Sequence, residues 1–331
     1  MAVFWVAFIL LILLLLSLDL GVFHRREHVI GPREALLWTA FWIGLSLLFN
    51  LFIYFAYEHH WLGIGLHQAE IKSGADAALE YFTGYIIEES LSLDNIFVIA
   101  IIFSYFKVPQ LHQHRVLFWG IVGAQILRGI MIGAGTALIH RFSWMIFVFG
   151  GLLILTALRM LFTRQEEMEP DKNFLVRLVR KFYPVTSDYE GSKFFTRIGT
   201  RRAITPLFLV LLVIESTDVL FAIDSIPAIF AVTTDPFIVF TSNIFAILGL
   251  RSLYFALVAM INKFRYLKFS LVFVLAYVGI KMILSHNFVI PTLISLLVIV
   301  VILGTGIIVS LVVDYRESLN QNSAKNDGEM E

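Results

Sequence analysis

Residues 81–106 read YFTGYIIEESLSLDNIFVIAIIFSYF, an apolar stretch interrupted by Glu88, Glu89 and Asp94. A helix needs about 20 mostly apolar residues to cross the hydrocarbon of a bilayer, and this stretch is long enough. Each carboxylate near the centre of such a helix costs about 2.5–3.5 kcal/mol on the insertion scale. The stretch therefore predicts a transmembrane helix whose acids have a function.

The composition extends this interpretation to the whole chain. Of its 331 residues, 59% are hydrophobic and 15% are charged, and the mean hydropathy is +0.83. Soluble domains are about 45–50% apolar and about 25% charged, so we expect an integral membrane protein. A formal net charge of zero offers no basic field for nucleic acid. Because cysteine is absent, disulfides and thiolate metal sites are excluded, and a metal would need oxygen or nitrogen ligands.

Hydropathy predicts an all-α polytopic bundle of about nine spans. The first apolar run lacks a basic leader and a small-residue cleavage site, so we interpret it as a retained span. The predicted spans are residues 3–20, 36–57, 81–106, 116–139, 144–162, 204–232, 237–260, 269–284 and 289–313. Residues 1–57 thus hold two N-terminal helices, and residues 289–313 form the last one.

The loops alternate in charge along the chain, with Arg141 after the fourth span as the one exception. Those after the first, third and seventh spans are rich in Lys and Arg, and those after the second and sixth carry acids. The positive-inside rule then predicts an outer N-terminus and a cytoplasmic C-terminus. The connection 163–203 holds nine Lys and Arg residues and falls on the cytoplasmic side. Within it, residues 174–182 have the pattern of an interfacial amphipathic helix, with a plain linker as the alternative. We expect the polar tail 314–331 to be disordered.

The chain resembles itself. SLDNIF at residues 92–97 is similar to FAIDSI at 221–226, Arg128 aligns with Arg251, and Arg159 aligns with Lys281. Residues 81–162 and 204–284 are therefore predicted to be two three-helix repeats. Since each unit crosses the membrane an odd number of times, the second is inverted. Inverted repeats are typical of transporters, with the binding site at the repeat interface near mid-bilayer.

Seven acids lie at predicted membrane depth. They are Asp19, Glu88, Glu89, Asp94, Glu215, Asp218 and Asp224. On an ideal helix Glu88 shares a face with Ser92 and Asn95, and Asp218 shares the equivalent face with Ser225. Asp94 and Asp224 lie about 240° away from those faces. We expect Pro227 to break the second helix and free a carbonyl beside Asp224.

Carboxylate, amide and hydroxyl oxygens are ligands for hard cations such as magnesium, calcium and manganese, with sodium or protons as alternatives. A structural interpretation also stays open, because Arg128 and Arg251 could pair with repeated acids inside the bundle. The nine histidines fall near span ends or in loops and are not predicted ligands. The sequence contains no nucleophile paired with a base and no two-aspartate protease motif, so we do not expect an enzyme.

EESLSLDNIFV at residues 88–98 and ESTDVLFAIDSIPA at 215–228 resemble the motifs of the TerC family, in its Alx-like branch. LDLGVFHRR at residues 18–26 supports the resemblance. It implies a bacterial inner-membrane transporter of the LysE-like superfamily that exports Mn²⁺ and holds no permanent cofactor. The implied metal ligands are Asp94, Asn95, Asp224 and Ser225. Glu88, Glu89, Glu215 and Asp218 are implied as further ligands or proton acceptors.

The expected mechanism places Mn²⁺ between the repeats, which rock to open the site outward. Since carboxylates must be ionised to bind metal, protons would compete and could exchange for it. An alternative function, which some members of the resembled family suggest, is assembly or insertion of other membrane proteins, or a role as a stress-response partner. That function would require an exposed docking surface, and not buried acids.

Overall fold

The computed structural model describes residues 2–18, 30–65, 71–162, 173–198, 200–258, 267–285, 288 and 290–328. The helices are α1 (Ala2–Leu18), α2 (Pro32–Glu58), α3 (Gly74–Tyr105), α4 (Gln110–Arg141), α5 (Met145–Phe162), α6 (Phe174–Phe182), α7 (Pro206–Phe230), α8 (Pro236–Val258), α9 (Leu267–Leu284) and α10 (Thr292–Gly328). Two short strands, β1 (Phe195–Ile198) and β2 (Arg201–Ile204), lie between α6 and α7.

The helical membrane class is confirmed. Among the described residues, six helices are long and apolar enough to cross a bilayer, namely α2, α4, α5, α7, α8 and α10. The apolar parts of α1 and α9 are shorter, at Val3–Leu18 and Phe269–Leu284. Helix α3 is 32 residues long but carries the acids of the opening stretch. Each of the nine predicted spans overlaps a different helix among α1–α5 and α7–α10. The count of nine spans stays a prediction.

Local sequence explains where several helices begin. Ser73 precedes α3, and its hydroxyl accepts a hydrogen bond from the Asp76 amide at 3.1 Å. Pro206 begins α7 at a position where the missing N–H costs nothing. The Asp235 carboxylate accepts a bond from the Phe237 amide at 3.0 Å and starts α8. Side-chain oxygens of this kind satisfy the free amides of a first turn.

The helices of the two predicted repeats pack against each other in a reciprocal pattern. Helix α3 packs on α8 and α4 packs on α7, while α5 packs on α9. A two-fold rotation relating α3–α5 to α7–α9 would exchange the first two contacts and map the third onto itself. This pattern supports the inverted repeat, which stays a prediction.

The contact between α5 and α9 depends on two glycines. A Cβ atom on Gly150 would lie 2.9 Å from the Gly279 carbonyl oxygen, and a Cβ on Gly279 would lie 2.9 Å from the Gly150 carbonyl oxygen. The two backbones therefore touch, which only residues without a side chain allow. A Cβ on the neighbouring Gly151 would meet nothing within 4 Å.

The connection between α5 and α7 is more structured than the all-α prediction allowed. Helix α6 forms where we expected an amphipathic helix, with Val176 fully buried and Phe174 68% exposed. Its interfacial position stays a prediction. The strands β1 and β2 correct the prediction, since they form an antiparallel hairpin in which Phe195 pairs with Ile204. The β-branched Thr196, Ile198 and Ile204 around Gly199-Thr200 are the signal for a hairpin that sequence reasoning missed.

A tyrosine joins this connection to the bundle. The Tyr189 hydroxyl donates a hydrogen bond to the Phe106 carbonyl oxygen at 2.7 Å, just after α3 ends. Burial raises the pKa of Tyr189 to about 12, so the hydroxyl keeps its proton and remains a donor.

The structure corrects two further expectations. Helix α10 continues to Gly328, where the sequence predicted a disordered tail, because no Gly or Pro interrupts residues 307–327. Helix α7 is continuous through Pro227, where we expected a break. Pro227 lies in the last turn, so few bonds depend on it, and its carbonyl still accepts a bond from the Ala231 amide at 3.1 Å. Helix α3 is also unbroken.

The glycine contact generates a stability prediction. We expect Gly150→Ala to lower the free energy of unfolding by about 1–3 kcal/mol, because the added methyl group overpacks the α5–α9 contact. Gly151→Ala is the matched control and should leave stability unchanged or higher. Thermal unfolding of the purified variants in detergent measures both. Equal melting temperatures for the two variants would contradict the close packing of these helices.

Candidate functional site

A cavity of about 570 Å³ lies between α3, α5, α7 and α9, and we call it the central cavity. Four of the predicted site residues line it together, namely Asp94 and Asn95 from α3 with Asp224 and Ser225 from α7. They meet without a broken helix, because a cavity of this width is lined by two consecutive positions of each helix. The two helices of the repeated motif therefore face one space.

Helix α5 adds two polar groups to the central cavity. The Thr156 hydroxyl donates a hydrogen bond to Asp224 Oδ1 at 2.7 Å. Arg159 follows three residues later and lines the same cavity. Residues three positions apart share a helix face. The spacing between Thr156 and Arg159 is therefore the signal from which Arg159, already aligned with Lys281, could have been predicted as a site residue. Sequence reasoning did not include either residue.

Asn95 connects the central cavity to a smaller one. The second cavity has a volume of about 20 Å³ and is lined by Asn95, Asp218 and Arg251 among others. Asn95 is 4% exposed, and its Oδ1 atom has no hydrogen-bond partner within the described residues. A buried oxygen without a partner costs about 1–3 kcal/mol, which a bound cation or water would offset.

Arg128 of α4 holds acids of both predicted repeats. It is 1% exposed and forms an ion pair with Glu88 of α3. It also binds Asp218 of α7 in bidentate fashion, with Nη2 2.8 Å from Oδ1 and Nε 3.2 Å from Oδ2. Its Nη1 donates to the Ser225 hydroxyl at 3.3 Å, which joins this cluster to the central cavity. The Asn243 amide donates to Glu88 Oε2 at 2.9 Å.

The alternative in which a repeated arginine pairs with acids inside the bundle therefore applies to Arg128, which binds Glu88 and Asp218. Both carboxylates are occupied by Arg128, because a guanidinium in low-dielectric surroundings needs nearby negative charge. They are tied to a protein cation in this structure, and their predicted role as metal ligands stays a prediction.

The last two predicted acids, Glu89 and Glu215, line neither cavity. The Glu215 carboxylate rests against Gly123 of α4, where a Cβ atom would overlap it. One oxygen of each acid, Oε2, is buried and has no hydrogen-bond partner among the residues that the structure describes. Asp19 lies outside those residues.

The predicted set of eight ligands is thus divided. Within the described ranges, no three histidine or acidic side chains lie close enough together to hold a metal ion. The central cavity instead offers two carboxylates, an amide oxygen and hydroxyl groups, beside one arginine. These hard oxygens suit a cation that keeps part of its water shell, and not a fully protein-coordinated one.

Arg128 generates a second prediction. We expect Arg128→Met to destabilise the protein by about 3–5 kcal/mol, because it leaves Glu88 charged and buried without its cation. The double variant Arg128→Met with Glu88→Gln should recover part of that loss, since it removes the uncompensated charge. Thermal unfolding of both variants tests the pair. A double variant no more stable than Arg128→Met would show that the Glu88 charge is not the cause.

Comparison with known proteins identifies the family. The model of the Integral membrane protein TerC family matches residues 73–318. The chain is 49% identical to "Uncharacterized membrane protein STKORF319" of Myxococcus xanthus, over 93% of this chain and 92% of that protein. It is 42% identical to "Putative membrane-bound redox modulator Alx" of Escherichia coli (strain K12), over 94% and 95% of the two chains. No solved structure matches. The chain belongs to the TerC family of integral membrane proteins.

Proposed function

We propose that the chain exports a divalent metal cation, with Mn²⁺ as the first candidate, through the central cavity. One observation carries the proposal: Asp94, Asn95, Asp224 and Ser225, from corresponding helices of the two predicted repeats, line the same space. Polar and ionisable groups at membrane depth mark ion pathways in transporters.

The ligand chemistry supports a hard divalent cation. Two carboxylates balance its charge, and Asn95 offers a buried oxygen without a partner among the described residues. Carboxylate, carbonyl and water ligands suit Mg²⁺, Ca²⁺ and Mn²⁺. A site with few protein ligands also suits transport, because the cation must bind and then leave.

Arg159 and Arg128 adjust the charge around the cation. Arg159 lines the cavity with the two aspartates, so one positive charge competes with the cargo there. Arg128 neutralises Glu88 and Asp218, and it contacts Ser225 at the cavity wall. The cation is therefore drawn to Asp94 and Asp224, and not to the acids behind them.

The position of the cavity suggests the direction of entry. It is lined by the later part of α5 and the early part of α9. Those ends adjoin the basic connection 163–203 and the loop before α9, which the positive-inside rule assigns to the cytoplasm. Mn²⁺ would enter there and be released outward when the repeats rock. Protons compete for the same carboxylates, and Glu89 and Glu215 are candidate acceptors for protons moving in exchange.

The name of the Escherichia coli relative suggests a role in redox balance for that protein. This chain has no cysteine, so a shared role could not use its own thiols. Moving a redox-active transition metal across the membrane could affect redox balance without any thiol in the chain. Metal export is thus compatible with that name.

Flux through proteoliposomes tests the proposal. We expect purified protein to move Mn²⁺, and we expect Asp94→Asn and Asp224→Asn each to lower the flux at least about tenfold. Asp188→Asn, an exposed acid of the connection, is the control and should transport like the wild type. Parallel vesicles with Ca²⁺ and Mg²⁺ rank the cations.

Two results would overturn the proposal. One is unchanged flux in both aspartate variants, which would remove the central cavity from the pathway. The other is the absence of any divalent flux in wild-type protein with a normal melting temperature. That result would favour a partner in membrane-protein assembly.

A further inference from the structure

A third cavity, of about 290 Å³, lies at the opposite end of the bundle, and we call it the Lys72 cavity. It is lined by residues at the beginnings of α3 and α5, at the ends of α7 and α9, and in the segment after α7. Its polar lining consists of Lys72, Glu80, Thr233, Thr234 and Ser285. By the predicted topology this end faces outward.

The Lys72 cavity already contains a cation, which is the ammonium group of Lys72 itself. Lys72 Nζ lies 2.5 Å from Glu80 Oε2 and 3.3 Å from the Thr233 hydroxyl. The Lys72 and Glu80 side chains are only 13% and 14% exposed, which distinguishes the pair from ordinary surface ion pairs. One carboxylate oxygen and one hydroxyl oxygen therefore bind a positive charge, as they could bind a metal cation.

The Lys72 side chain can leave this place without unfolding a helix. Lys72 belongs to the non-helical segment 71–73, before the Ser73 cap of α3. Glu80 lies inside α3, and Thr233 is held by the bond from its amide to the Ile229 carbonyl at 3.1 Å. The oxygens are thus fixed, while the ammonium is on a flexible stem.

Apolar residues separate the Lys72 cavity from the central cavity on every helix that lines both. Ile87 lies between the two on α3, Phe149 on α5, Ile229 on α7 and Val278 on α9. Ile87, Ile229 and Val278 belong to one buried hydrophobic cluster, and Phe149 packs against it. The rings of Phe149 and Phe230 are stacked there, with centroids 6.1 Å apart and an interplanar angle of 8°. In this conformation the two cavities lie toward opposite ends of the bundle.

The predicted repeat relates the two cavities. Met160 follows Arg159 in the first repeat and lines the central cavity. Its counterpart Met282 follows Lys281 in the second repeat and lines the Lys72 cavity. Inverted repeats exchange the two ends of a transporter, so counterpart residues are expected to line opposite halves of one pathway.

We propose that Glu80, Thr233 and Thr234 form an exit site for a partly hydrated divalent cation. The Lys72 ammonium occupies this site while the central cavity is open to the other end, and the arriving cation displaces it. The inference rests on the proposed transport function and adds a second binding site with its own ligands. Lys72 also prevents cations outside the cell from binding there when no cargo arrives.

Binding of Mn²⁺ to detergent-purified protein tests the exit site directly. We expect Lys72→Met to bind one more Mn²⁺ per chain than the wild type in equilibrium dialysis, because the tethered cation no longer competes. Adding Glu80→Gln to that variant should remove the extra ion. Lys107→Met, an exposed lysine at the other end of α3, is the control and should bind like the wild type.

Flux provides the second measurement. Glu80→Gln alone should lower Mn²⁺ export about tenfold while Mn²⁺ binding to the central cavity is retained. Glu58→Gln, an exposed acid at the same end, is the control, because the glutamine oxygen can still accept the bond that the Gly74 amide donates to Glu58. Wild-type binding in Lys72→Met would overturn the exit site, and so would wild-type flux in folded Glu80→Gln. If Glu80→Gln does not fold, the binding comparison between Lys72→Met and wild type decides alone.

The two proposals fail differently. The central-cavity proposal fails if neither Asp94→Asn nor Asp224→Asn changes the flux or the binding of Mn²⁺. The exit-site proposal fails if Lys72→Met binds the same number of Mn²⁺ ions as the wild type, whatever the result for the aspartate variants.

Discussion

An uncompensated charge in hydrocarbon is costly, and this constraint governs the structure. Arg128 is the residue that compensates the buried acids. Its guanidinium joins Glu88 of α3 to Asp218 of α7 from a position on α4 that is 1% exposed. A buried ion pair is weak in net energy, yet losing one partner is expensive. The Arg128 ion pairs therefore hold the two predicted repeats in register, because breaking either pair would leave a buried charge without a partner. Arg128 also contacts Ser225, which lines the central cavity.

Close helix packing gives the remaining polar groups their places. Gly123 leaves room for the Glu215 carboxylate, and Gly150 and Gly279 let α5 and α9 touch. That contact places Thr156 and Arg159 beside Asp224. The apolar cluster containing Ile87 and Val278 then separates this cavity from the one at Lys72. The central cavity pairs two aspartates with Arg159, and the Lys72 cavity pairs Glu80 with Lys72.

Four of the eight predicted site residues line the central cavity, and the signal for them in the sequence is local. Asp94 with Asn95, and Asp224 with Ser225, are adjacent residues in two similar segments, and the structure places all four on one cavity. Glu88 and Asp218 could not be assigned in the same way, since their partner Arg128 is 40 and 90 residues away. The expected break at Pro227 is wrong, because a proline in a last turn removes little.

The sequence by itself determined the helical membrane class of the protein, and it predicted the spans and the acids within them, because hydropathy and charge are properties of contiguous residues. Only the tertiary structure decided which acids face a cavity, which are bound by Arg128 and which have an oxygen without a partner among the described residues. It also revealed the Lys72–Glu80 pair and the hairpin. The reason is physical: the surroundings of a buried charge are set by helices distant in sequence, through packing that no local pattern records.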